Sequence, residues 1–179
     1  GQAYVCITGN IDLSIGSVLG MSAMISATLM CKGSSPIVAV LVAFICCMAI
    51  GFVNGVLVGK FKLPPFIGTL GTMTIGRGIA QLANNNYNTD NIGSEGAAQV
   101  FKDLFYYGKT LGLFNGVWIA LIVWAIFFYI LTFTRSGRHI YAIGSNVDAA
   151  RLSGVDVFMT TTKAYMVSSF CAFLTGIIT

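Results

Sequence analysis

The chain has 179 residues, of which 56% are hydrophobic and only 9% charged, with a mean hydropathy of +0.82. That balance excludes a soluble globular domain, where about a quarter of residues carry charge. A net charge of +4 calls for no nucleic-acid partner, so the placement of the charges is more informative than their sum.

No initiator Met opens the chain and the last apolar run stops at Thr179, so the sequence reads as an internal piece of a longer chain. No targeting peptide can be judged from it. Cys6, Cys31, Cys46, Cys47 and Cys171 lie in or beside apolar runs without C-x-x-C spacing and read as small hydrophobes. A single histidine, His139, cannot make a histidine-based metal site.

In chain order, residues 1–11 are apolar but interrupted by glycine, as at the end of a membrane segment. Asp12 then precedes an uncharged run, residues 13–31, long enough to cross a hydrocarbon core of ~30 Å at ~1.5 Å per residue. Asp12 with Ser14 suits a helix N-cap; the competing role is a place at or near a substrate route. A glycine-broken approach to an acidic cap is also how discontinuous transporter helices are built.

Pro36 opens a second apolar run, residues 37–59, in which Gly51, Gly55 and Gly59 recur every fourth residue beside Asn54. Such a stripe lets another helix backbone approach closely, with Asn54 placed to hydrogen-bond across the contact. Lys60 and Lys62 close the run, and Pro64-Pro65 forces a break. Residues 66–83 are too polar for a lipid-facing span and too apolar for a loop. Thr69, Thr72 and Gly76 share one helical face, and polar groups in a span usually face a bundle interior or a wet cavity. This segment is the best candidate for a wall of a translocation path; the competing reading is a re-entrant segment. Arg77, ~18 Å beyond Pro65, snorkels outward, pairs with an acid elsewhere, or lines the path. The path candidates are therefore Asp12, Ser14, Asn54, Thr69, Thr72, Gly76 and Arg77.

Residues 84–112 are polar and read as an outer loop. Gly108-Lys109-Thr110 mimics the end of a phosphate-binding loop, but Asp103 stands where such a loop needs its first glycine, so nucleotide binding is rejected. Residues 113–133 are a strongly apolar helix, and residues 164–179 begin another. Between them, residues 134–163 form a polar loop with a short central helix. Asn146 suits its N-cap, Asp148 its first turn, Arg151 its last turn and Gly154 its stop. Ala149 and Ala150, small beside Leu152, suit a close fit in a groove. About two turns cannot hold themselves together in water, so the helix folds on another surface.

Alternating crossings put Lys60, Lys62, Arg135, Arg138, Arg151 and Lys163 on one side, with Lys32, Lys102 and Lys109 on the other. That excess marks the first side as cytoplasmic.

Three stretches carry a resemblance. Asp148 to Gly154 is similar to the EAA-x-x-x-G loop of ABC-importer permeases, with Asp in place of Glu, and GRHIYAIGSNVDAARLSGV around it resembles permeases of the ribose, xylose and galactose type. GNIDLSIGS (Gly9 to Ser17) and KLPPFIGTLGTMTIGRG (Lys62 to Gly78) resemble two further signatures of that family, in its order and spacing. The resemblance implies an all-α polytopic transmembrane bundle, here partial, with broken or short helices and a short cytoplasmic coupling helix. It makes Asn146, Asp148, Ala149, Ala150, Arg151, Leu152 and Gly154 the ATPase-coupling residues. It further implies a bacterial inner-membrane permease that works with a second permease copy, nucleotide-binding ATPase subunits and a solute-binding protein. No cofactor is expected on this chain; ATP and Mg belong to the ATPase. The alternative is an ion- or proton-coupled secondary transporter, for which Asp12 is the available mid-membrane carboxylate. An intramembrane enzyme has no nucleophile–base or metal constellation to draw on.

Overall fold

The computed structural model describes residues 1–84, 108–110 and 113–178. In chain order these form α1 (Gln2–Ile7), α2 (Ile15–Cys31), α3 (Pro36–Gly59) and α4 (Pro65–Ala83). A two-residue hairpin follows, β1 (Lys109–Thr110) against β2 (Leu113–Phe114), then α5 (Asn115–Phe133), α6 (Arg135–Ser145), α7 (Val147–Leu152) and α8 (Val157–Ile178). The outer loop expected over residues 84–112 falls mostly outside the described residues. Lys109, the lysine of the rejected phosphate loop, lies in β1 with its ammonium over the Phe114 ring.

By length and apolarity α3, α5 and α8 are fit to cross a membrane. The chain is an all-α helix bundle. Pro36 and Pro65 open α3 and α4, where the missing N–H costs nothing. The polypeptide breaks between α1 and α2, with Gly9 at φ 78°.

The centre of the bundle is the antiparallel seam between α3 and α8. Gly51 and Gly55 lie against Ser169 and Thr162, and a Cβ on Gly55 would come within 2.6 Å of the Thr162 Cα. The glycine stripe therefore brings two backbones together, as its spacing predicts. Val18, Met21, Cys47, Ile50 and Phe173 pack one apolar cluster between α2, α3 and α8. A second, of Tyr4, Val5, Ile140, Ala164 and Tyr165, joins α1 and α6 to α8. Helix α5 buries none of its residues and is tied on by the Tyr4 hydroxyl, which donates to the Phe127 carbonyl at 2.6 Å.

Two expected boundaries shift. Residues 134–163 are largely helical rather than loop, because α6 is strongly amphipathic and seats Ile140 and Ile143 on the bundle. Helix α8 starts at Val157, not 164. Asp156 caps it by accepting from the Met159 N–H at 2.9 Å, and Thr160, Thr161 and Thr162 are buried. These threonines were expected within the polar loop, whereas their side chains pack inside the bundle.

Candidate functional site

The most concentrated polar feature is a hydrogen-bonded chain through four helices. The Thr72 hydroxyl on α4 donates to Asn54 Oδ1 on α3 at 2.7 Å, and Asn54 Nδ2 donates to Ser14 Oγ at 2.9 Å. Ser14 in turn donates to Asp12 Oδ1 at 2.6 Å, and the second carboxylate oxygen accepts from Ser168 Oγ on α8 at 2.8 Å. Every donor along this line points toward the carboxylate, which places the string at the service of a negative charge. Ser14 has one proton and spends it on Asp12, so it must accept from Asn54; that fixes the amide orientation.

Asp12 is not itself the helix cap. Its Oδ1 also accepts from the Ser14 N–H at 3.0 Å, an Asx-type turn that delivers the chain into α2, and Ser14 occupies the N-cap position. Ser14 lies level with Asn54, five residues before the end of α3, so α2 begins ~7 Å inside that end of the bundle.

The other path candidates fall on both sides of this chain. Thr69 is fully buried and bonds back to the Pro65 carbonyl at 2.7 Å. Gly76 admits α2, since a Cβ there would lie 2.9 Å from Ser17 Oγ. Arg77 instead is exposed, off the face that buries Thr69, Thr72 and Gly76. Two participants escaped sequence reasoning: Ser168, and Tyr165, whose hydroxyl donates to the Ile11 carbonyl at 3.2 Å. Their only sequence signal was a set of hydroxyls inside an apolar run.

The second feature is α7. Asn146 Oδ1 accepts from the N–H groups of Asp148 and Ala149 at 2.9 and 3.0 Å, and Gly154 at φ 82° turns the chain out of the helix. Asp148 stands in the first turn and Arg151 in the last. The helix has two faces. Ala150 is buried against the chain's own body, whereas Ala149 is exposed and Leu152 is 90% exposed.

A family model described as "Branched-chain amino acid transport system / permease component" matches residues 1–179. The chain belongs to that permease family. Among its relatives, the ribose import permease protein of Escherichia coli (strain K12) is 38% identical over 178 residues, 99% of this chain and 55% of that protein. The D-allose transport system permease protein of the same strain is 35% identical over 182 residues, covering 99% of this chain and 53% of its own length. The autoinducer 2 import system permease protein of Salmonella paratyphi B is 34% identical over 178 residues, 99% and 50% respectively. The chain thus spans about half the length of these curated relatives. No solved structure gives a significant match.

Proposed function

We propose that this chain forms part of the membrane-spanning permease subunit of an ABC importer that takes up a sugar or a related small polar solute. The observation that carries the reading is α7: a doubly capped two-turn helix with Ala150 seated inward and Leu152 projecting outward. The sugar and autoinducer permeases among the relatives support it over an ion- or proton-coupled secondary transporter. In this reading the subunit performs no bond chemistry. A separate ATPase binds ATP and Mg, docks on α7 from the cytoplasm and moves it, and the bundle above alternates its access. A solute-binding protein delivers cargo at the other face, a second permease copy completes the path, and the assembly lies in the bacterial inner membrane.

Within the bundle, the polar chain from Thr72 to Ser168 ties α2, α3, α4 and α8 into a unit that can tilt as one body. Asp12, Ser14, Asn54, Thr69, Thr72 and Gly76 then act as the frame of the path, and Arg77, on the exposed face of α4, is the candidate that solute or the second copy can reach. The deciding experiment purifies the full-length permease with the products of its neighbouring genes and reconstitutes it in proteoliposomes. Co-purification of an ATPase and ATP-dependent solute uptake are expected. Uptake driven by a proton gradient with no ATPase present would overturn the reading.

A further inference from the structure

Behind α7, between it and the adjoining ends of α3 and α8, lies a cavity of about 270 Å³. Two cations line it, Lys62 from the turn after α3 and Arg151 from α7, against one carboxylate, Asp148. Asn10 from the break after α1 and Thr161 from α8 add an amide and a hydroxyl. Thr161 is buried within α8 and lines the cavity, whereas the Thr160 hydroxyl beside it is spent on the Asp156 carbonyl at 2.8 Å. Lys62 is the one non-glycine described residue in the left-handed region, at φ 52°. A lysine stays there only where its surroundings hold it.

We propose that this cavity binds a phosphate ester that also carries a hydroxyl or amine. Phosphate suits the pair of cations: Arg offers a planar fork of donors and Lys a mobile point charge. A bare anion would also face Asp148 and be repelled by it. A ligand with a donor beside its phosphate resolves this, setting the phosphate between Lys62 and Arg151 and the hydroxyl or amine on Asp148. Thr161 offers the phosphate a further hydroxyl. Glycerol phosphate and ethanolamine phosphate have this chemistry, both as lipid head groups and as free esters, and basic pockets at the ends of membrane helices commonly take such groups. The cavity adjoins the inner side of α7 beside the buried Ala150, so an occupant adds a polar tie between that helix and the ends of α3 and α8.

The test uses the full-length permease and two arms. In the first, sn-glycerol 3-phosphate and phosphoethanolamine are titrated into detergent-solubilised protein and binding is followed calorimetrically. In the second, the protein is reconstituted in nanodiscs of phosphatidylcholine alone, or with phosphatidylglycerol or phosphatidylethanolamine added, and retained lipid is counted by native mass spectrometry. Saturable binding is expected in at least one arm, and binding in only one identifies the source as free ester or lipid. Lys62→Gln is expected to weaken it about tenfold or more, as for the loss of a charged hydrogen-bonding partner. Lys62→Gly, which accepts the left-handed backbone without strain, serves where the glutamine variant folds poorly and is expected to weaken it equally. Lys163→Gln, a cation at the same end but outside the cavity, should leave binding unchanged. No saturable binding in either arm, an effect of Lys163→Gln equal to that of Lys62→Gln, or binding indifferent to both Lys62 variants would overturn the proposal. Neither arm measures transport, so such a failure leaves the importer reading where it stands.

Discussion

Asp12 is 4% exposed, and among the described residues its carboxylate is held by three hydrogen bonds from Ser14 and Ser168 rather than by a cation. Hydrogen bonds to a charged group contribute about 1.5–3 kcal/mol each, more than neutral ones, and leaving the charge short of a donor costs the desolvation as well. Ser168→Ala strips Oδ2 of its bond and is expected to destabilise the permease by about 2 kcal/mol. Asn54→Ala is expected to cost less, nearer ~1 kcal/mol, since both its neighbours keep other bonds: Ser14 to Asp12, and Thr72 to the Thr69 carbonyl at 3.1 Å. Thermal unfolding of the purified protein would rank the two; a larger loss for Asn54→Ala would mean that the chain is held from its middle rather than from the carboxylate. The sequence paired Asp12 with Ser14 as a helix cap, placed Asn54 beside the glycine stripe and grouped Thr72 with Thr69 and Gly76 on one face. It could not join them, because Asp12 meets Ser168 across 156 residues and no periodicity encodes so distant a pairing.

At the scale of elements, legibility follows locality. Helix α7 was readable because its signals lie within nine residues, from the Asn146 cap to the Gly154 stop, and each acts on its immediate neighbours. The start of α8 was not, because burial of Thr160 to Thr162 depends on the bundle and not on adjacent sequence. The two faces of α7 were equally invisible, although they decide what substitutions do. Asn146→Ala frees two backbone N–H groups and is expected to cost about 1 kcal/mol. Six residues have no reserve to absorb that loss, so hydrogen exchange across Val147–Leu152 should quicken while that of α3 stays slow. Ala150→Trp is expected to lift α7 off its own chain. Leu152→Ala should change stability by less than about 0.5 kcal/mol, as for other surface sites, yet reduce ATPase retention on purification. If Leu152→Ala keeps its ATPase and Ala150→Trp transports normally, α7 is a connector and not the docking element.

At the scale of the whole molecule, the antiparallel seam of α3 on α8, with α2 and α4 hydrogen-bonded to α3, makes one packed unit. Helix α4 runs unbroken for 19 residues, ~28 Å, alongside α3, and Gly68, Thr72 and Gly76 meet α3 in antiparallel order at Leu57, Asn54 and Ile50. Labelling at the two ends of α4 distinguishes a full span from a re-entrant segment. Lys62 shares a cavity with Val157 at the start of α8 and with Ile143 and Val147, which flank Ser145, whereas Lys109 pairs with Phe114 beside Gly116, which meets Ile178 at the other end of α8. In a background with the five native cysteines replaced by serine, single cysteines at Lys62 and Ser145 are expected to react with impermeant maleimide from one side of sealed vesicles, and a cysteine at Lys109 from the other. The excess of lysine and arginine predicts a cytoplasmic location for the Lys62 end, so inside-out vesicles are expected to label Lys62→Cys and Ser145→Cys first. Labelling of Lys62→Cys and Lys109→Cys from the same side would mean that α4 does not cross, and it would remove both the sidedness and the placement of α7 that rests on it.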